Sequence, residues 1–194
     1  LEILNRLYSE WHAVDQDPKL DEFLTKLPGI LDESINPEKK VVIFSESAET
    51  TAYLLEALKD KGHDDVLSIQ SKNRKDLLPV AKANFDANVP IAEQKDDYRI
   101  LISTEVLAEG VNLHRANSVL NYDTPWNSTK LMQRIGRVNR IGSKATRVHI
   151  YNFYPTAKVD VDIELEKKAI LKLQAFHSAL GEDSQIYSTD EEIE

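Results

Sequence analysis

Apolar residues fall into two textures along this chain, helical spacing near both ends and short contiguous runs between them. Ile3, Leu4, Leu7 and Trp11 recur at helical intervals, and after Asp17-Pro18 so do Leu20, Phe23, Leu24 and Leu27. Asp17 suits a helix cap and Pro18 a first helical turn, so two lead-in helices are expected, the second ending at Pro28-Gly29. After Asn36-Pro37, apolar runs predict strands at Val41–Phe44, Val66–Ile69, Tyr98–Ile102, Val119–Tyr122 and Val148–Phe153. Between them, a helix from Ser45–Glu49 to about Lys61 turns Leu54, Leu55 and Leu58 inward. A second, near Asp76 to Phe85, lines up Leu78, Ala81 and Phe85, and a basic helix separates the last two strands.

Strand–helix alternation of this kind implies right-handed crossovers and an open α/β fold, a parallel sheet with helices on both faces. Ligands of such sheets gather beyond the carboxyl ends of the strands, which singles out Ser45-Glu46, Ser71-Lys72, Ser103 to Leu113 and Asp123 to Asn127. Beyond Pro155 the pattern returns to helical spacing. Leu165, Ala169, Leu173, Phe176 and Leu180 predict a long amphipathic helix stopped by Gly181, with an acidic tail after it. The expected organisation is a helical lead-in over 1–37, an α/β lobe over 38–155, and a helical extension with acidic tail over 156–194.

Composition narrows the classes. Of 194 residues 41% are apolar, ample for a core. No apolar run approaches the ~18 residues needed to span a bilayer, and the N-terminus lacks a basic-then-apolar pattern, so a cytoplasmic protein with no membrane partner is expected. The chain opens at Leu1 and reads as a piece of a longer protein. The absence of cysteine excludes disulfides, thiolate catalysis and cysteine-based zinc sites, and His12, His63, His114, His149 and His177 lie too far apart for metal-ligand spacing. No metal site is expected on this chain.

The net charge of −9 speaks against a surface built wholly for nucleic acid. Its distribution changes that picture. Between Ser128 and Arg147 stand Lys130, Arg134, Arg137, Arg140, Lys144 and Arg147 with no acidic residue, whereas the tail carries Glu182, Asp183, Asp190, Glu191, Glu192 and Glu194. Within Gln133-Arg134-Ile135-Gly136-Arg137-Val138-Asn139-Arg140-Ile141-Gly142, a helical wheel started at Gln133 puts Arg137 at about 40° and Arg140 at about 340°. Leu131, Ile135 and Val138 cluster near ~160°, so one side is cationic and the other packs. Gly136 costs helix stability, on the order of 1 kcal/mol against alanine, and lets a ligand approach the backbone beside the arginines. Phosphate fits that surface; a solvated helix face is the plain alternative.

A second stretch, Ile100 to Leu113, is a strand running into a loop with Gly110 followed two residues later by Asn112. Taken in order, Val41–Glu46, Ser103–Leu113 and Gln133–Gly142 resemble motifs IV, V and VI of the second RecA-like lobe of superfamily 2 helicases and translocases. Tyr122-Asp123-Thr124-Pro125-Trp126-Asn127 before the basic helix resembles the Swi/Snf-type branch, including bacterial RNA-polymerase-associated ATPases. The resemblance covers roughly Lys39 to Tyr154.

It implies that Arg137 and Arg140 reach the β- and γ-phosphates of ATP as arginine fingers, Arg137 first, with Gln133, Gly110 and Asn112 completing this lobe's share of the nucleotide site. Planar, permanently charged guanidinium groups match phosphate oxygens. It also implies that Ser45, Ser103 and Thr104 hold nucleic-acid phosphates, DNA in preference to RNA. Glu105 stands where relatives often carry Asp, Asn112 where many carry Asp, and Glu109 where they often carry Arg. Each residue has a plainer role open to it: Gly110 a turn, Thr104 a cap, Asn112 a brace for its own loop, Trp126 a packing residue, and Lys72 and Arg74 solvated charge.

No Gly-x-x-x-x-Gly-Lys-Ser/Thr loop and no Asp-Glu pair after an apolar strand occurs in the chain. ATP and Mg2+ are therefore expected to be bound mainly by a separate N-terminal lobe of the parent protein, this chain alone being inactive. A catalytically inert helicase-like module that only binds protein or nucleic acid is the alternative. A dinucleotide-binding fold is opposed by the lack of a glycine-rich turn after the first strand.

Overall fold

The computed structural model describes residues 2–12, 16–107, 110–125, 127–143 and 145–154. The helix expected over Leu165 to Leu180, the acidic tail, Glu109, Trp126 and Lys144 lie outside the described residues. Among the described residues five helices and five strands follow in order: α1 Glu2–His12, α2 Pro18–Ile30, β1 Val41–Phe44, α3 Ala48–Asp60, β2 Val66–Ile69, α4 Arg74–Phe85, β3 Ile100–Ser103, β4 Ser118–Asn121, α5 Ser128–Val138 and β5 His149–Asn152. Short 3-10 turns cover Ile91–Glu93 and Glu105–Leu107.

All strand pairings are parallel, in the order β2-β3-β1-β4-β5. Val41 on the central strand pairs with Ile100 on one side and Ser118 on the other. Because side chains alternate between faces along a strand, β1 feeds two cores. Val41 and Ile43 join Phe23, Leu27, Ile30, Leu54 and Leu58 from α2 and α3. Val42 and Phe44 join Ala81 and Phe85 of α4 and Val138 of α5 on the opposite face. The open α/β sheet covered on both faces is as the alternation predicts.

Helix ends follow local chemistry, with two departures from expectation. Asp17 caps α2 by accepting from the Leu20 amide at 3.0 Å, and Ser47 caps α3 through the Thr50 amide at 3.1 Å. Instead of ending at Pro28-Gly29, α2 continues to Ile30, because the Leu31 amide still reaches the Leu27 carbonyl at 3.1 Å and Ile30 is buried. The basic helix stops at Val138, so Arg140 sits in the turn beyond it rather than on a helical face.

Charged groups are also built into the far end of the sheet. Lys40, almost wholly buried, donates to the Tyr98 carbonyl at 2.9 Å and meets Asp96 at 2.9 Å. Burial pushes its ammonium below the usual lysine range, with Asp96 working against that shift. Arg115 donates to the carbonyls of Asn84 (3.2 Å) and Lys95 (2.8 Å) and pairs with Glu38 and Asp96. Asn36 bridges α2 to β1, giving its amide to the carbonyls of Ile30 and Lys40 and accepting from the Lys40 amide.

Phe23 is fully buried between α2 and the sheet, edge-on to Tyr122 at 5.9 Å between ring centroids. Phe23→Ala is expected to lower stability by about 3–5 kcal/mol in urea unfolding. A change of only about 0.5 kcal/mol, the scale of a surface substitution, would show that α2 is not part of the core.

Candidate functional site

Arg134 is the largest fully buried side chain described, and four groups from three elements surround it. Its Nε donates to Glu105 Oε1 at 2.9 Å, and Nη2 pairs with the same oxygen. Nη1 donates to Asn121 Oδ1 and to the Asp123 carbonyl, both at 2.9 Å. The guanidinium also lies 5.3 Å from the centre of the Phe44 ring. The turn after β3, the end of β4 and the middle of α5 are thereby fastened to one cation. Arg134 belongs to the basic patch in sequence, yet it does not contribute to the outward cationic face.

At the carboxyl ends of β1 and β4, Asp123 gathers a second set of contacts. It accepts from the Ser45 hydroxyl at 2.5 Å, the Glu46 amide at 3.2 Å and the Lys19 ammonium at 2.9 Å. Burial works to raise its pKa, but the Ser45 hydrogen bond, Lys19 and the Glu46 amide outweigh it, and the carboxyl is held below the usual range. Lys19 in turn lies 4.1 Å over the Tyr122 ring. Two predicted phosphate contacts are committed inside this edge. Ser45 is buried against Asp123, and the buried Ser103 hydroxyl lies 3.1 Å from the Ile69 carbonyl and 2.9 Å from the Thr104 carbonyl. Thr104 is half-buried and opens the 3-10 turn, its carbonyl accepting from the Leu107 amide at 3.4 Å.

The nucleotide residues predicted from the sequence lie on a different surface. A parallel crossover requires α5 to run back along the sheet from the end of β4 to the start of β5, so its later residues leave the carboxyl edge. Beside it runs the segment after Gly110, and the Leu113 amide donates to the Arg137 carbonyl at 2.8 Å. Gly110 is exposed with φ +74°, which makes glycine a conformational requirement there. Asn112, Gln133 and Arg137 are half-buried. Arg137 Nε donates to the Gln133 carbonyl at 3.3 Å and the exposed Arg140 Nε to the Gly136 carbonyl at 3.1 Å, each one turn back. Among the described residues, nothing lies within 4 Å of where a Gly136 side chain would begin, so there is open space beside the arginines.

Two surfaces therefore flank the Arg134 hub, an edge carrying Ser45, Ser103, Thr104 and Asp123, and a flank carrying Gly110, Asn112, Gln133, Arg137 and Arg140. Among the described residues no group of three His, Cys, Asp or Glu could hold a metal ion, and no helix is long and apolar enough to cross a membrane. The sequence profile of the helicase conserved C-terminal domain matches residues 20–142, which span both surfaces. The chain belongs to that family.

Relatives of this helicase C-terminal domain include the uncharacterized ATP-dependent helicase YqhH of Bacillus subtilis, 34% identical over 75% of this chain and 24% of that protein. A probable eukaryotic initiation factor 4A of Trypanosoma cruzi is 27% identical over 79% of this chain and 34% of that protein. The chain thus spans about a quarter to a third of the relatives it matches. Its fold is similar to the C-terminal part of the Fun30 ATPase domain, with a TM-score of 0.62, 22% identity, and coverage of 79% of this chain and 46% of that one. It is also similar to Saccharomyces cerevisiae Dbp5 L327V bound to RNA and ADP BeF3, at a TM-score of 0.55, 24% identity, and 78% and 36% coverage.

Removing Glu105 strands a buried cation in this domain. Glu105→Ala is expected to cost about 3–5 kcal/mol in urea unfolding, and Glu105→Gln less because an acceptor remains. Equal, small losses for the two variants would show that the charge pair does not hold the hub. Asp123 has a pH signature of its own. Its folded pKa is depressed, so the stability it contributes is present above the unfolded value and lost as acid protonates it. The stability gap between the wild type and Asp123→Asn is expected to close as the pH falls through and below 3.8; a gap independent of pH would refute this.

Proposed function

We propose that this domain is the C-terminal motor lobe of an ATP-dependent nucleic-acid helicase or translocase, with Arg137 and Arg140 acting on ATP held mainly by an N-terminal lobe of the parent protein. The observation that carries the proposal is the separation of roles among the arginines of α5 and of the turn after it. Arg134 is buried in a ring of partners inside the lobe, and Arg137 and Arg140 each donate to a carbonyl one turn back, beside the open space at Gly136. Guanidinium groups held in that way suit a phosphate chain approaching from a facing lobe.

In this role Arg137 takes up the charge that develops as the γ-phosphoryl group is transferred, and Arg140 supports the adjacent phosphates. Gln133 offers its side-chain amide to the nucleotide or to the attacking water. The open backbone at Gly110 and the side chain of Asn112 complete this lobe's share of the site. With Mg2+, ATP supplies the phosphoryl group and a bridge between the lobes; carboxylates for the metal belong to the N-terminal lobe in this proposal.

Nucleic acid is gripped at the strand-end edge. Because Ser45 and Ser103 spend their hydroxyls on Asp123 and on backbone carbonyls, their part is to shape the loops, leaving Thr104 for phosphate contact. We keep DNA ahead of RNA because Tyr122 to Asn127 resembles the Swi/Snf-type branch. Stimulation of turnover by RNA and not by DNA would reverse that choice.

Arg137→Ala in the full-length parent protein is expected to lower nucleic-acid-stimulated ATP turnover about 10³-fold while nucleic-acid affinity is retained. Unchanged turnover would sink the motor assignment and favour a module that only binds.

A further inference from the structure

His114 is buried, and among the described residues neither ring nitrogen has a hydrogen-bond partner. An imidazole left unsatisfied in an interior is costly, which asks for a function or a reason. Three segments meet at this ring. The Leu113 amide holds the Arg137 carbonyl at 2.8 Å, and the Arg115 amide holds the Phe85 carbonyl at 2.9 Å, so the residues on either side of His114 fasten α5 and α4. From the end of α4, Asp86 Oδ1 lies 3.7 Å from Nδ1, beyond hydrogen-bonding distance, while accepting from the Asn88 amide at 2.9 Å. From the turn after α5, Gly142 lies beside the ring, where a side chain would begin at ordinary contact distance, 3.7 Å from Nε2.

We infer that His114 is a positioning residue for the turn that carries Arg140, a neutral wedge whose ring sets that turn against the end of α4. This rests on the proposed role of Arg140 at ATP. Gly142 has φ +97°, so the turn is bent sharply where it passes the ring. The charged groups facing the ring are Asp86 from α4 and Arg140 from the turn, while the neighbouring Arg115 is committed to Glu38 and Asp96. Burial keeps the imidazole below its ordinary value; Asp86 pulls against that and Arg140 adds to it. A proton on His114 would draw the ring to Asp86 and repel Arg140, unseating the turn from both sides.

The test compares His114→Ala, which removes the wedge, with His114→Phe, which keeps a ring that cannot be charged, in the full-length parent protein. Amide exchange over residues 139–143 is expected to rise about tenfold or more in His114→Ala and to stay near wild type in His114→Phe. In the same proteins, kcat for ATP is expected to fall in His114→Ala, with the KM for nucleic acid unchanged. The wild-type loss of kcat below the ordinary imidazole value of 6.5 should be absent in His114→Phe. Unchanged exchange in His114→Ala, or an acid limb identical in His114→Phe, overturns the inference. If the exchange results hold but Arg140→Ala leaves turnover untouched, the wedge stands and the assignment of Arg140 to ATP is what fails.

Discussion

The guanidinium of Arg134 is the constraint on which both candidate surfaces depend. A cation buried this deeply must be matched in charge and in hydrogen-bonding geometry, or it destabilises the fold that encloses it. Glu105 supplies the charge, and Asn121 with the Asp123 carbonyl supplies the geometry. These partners come from the turn after β3 and the end of β4, so satisfying one side chain fixes the relative position of α5 and two strand ends. Arg134 does for this lobe what a metal ion does for a small zinc domain, with a side chain in place of the ion.

A rigid hub matters because the two surfaces have different partners in the proposed motor. The edge at Asp123 and the flank at Arg137 share the residues around Arg134 and are joined again by the Leu113 amide on the Arg137 carbonyl. In the proposed motor that linkage would let a change at one surface be felt at the other.

Much of the fold was legible because the central strands β1 and β3 are short, mostly apolar runs buried on both faces, a pattern that marks a strand in sequence. Val41–Phe44 and Val66–Ile69 match at both ends. Boundaries drifted where packing overrides local signals. Burial of Ile30 carries α2 past Pro28, and β3 starts at Ile100 because the Tyr98 amide is taken by the Asn84 side chain at 3.2 Å. Arg134 was hidden by its residue type, since an arginine in a basic run reads as surface. The available signal was angular: it stands about 100° from Gln133, nearer the packing side than the cationic one. Nothing in the spacing revealed Lys40, Arg115 or His114 as interior groups, because their partners come from segments distant in the chain.

The antiparallel run of α5 along the sheet makes the interval between its arginines a matter of phase. Arg134 points into the lobe and Arg137 lies three residues on, so the two directions stand only about 60° apart around the helix, with Arg134 fully buried and Arg137 half-buried. A single residue inserted between them would turn everything after it by about 100°, carrying Arg137 off its flank and Val138 out of the core it joins. In that sense α5 works as a key whose teeth are cut by residue count as much as by residue type.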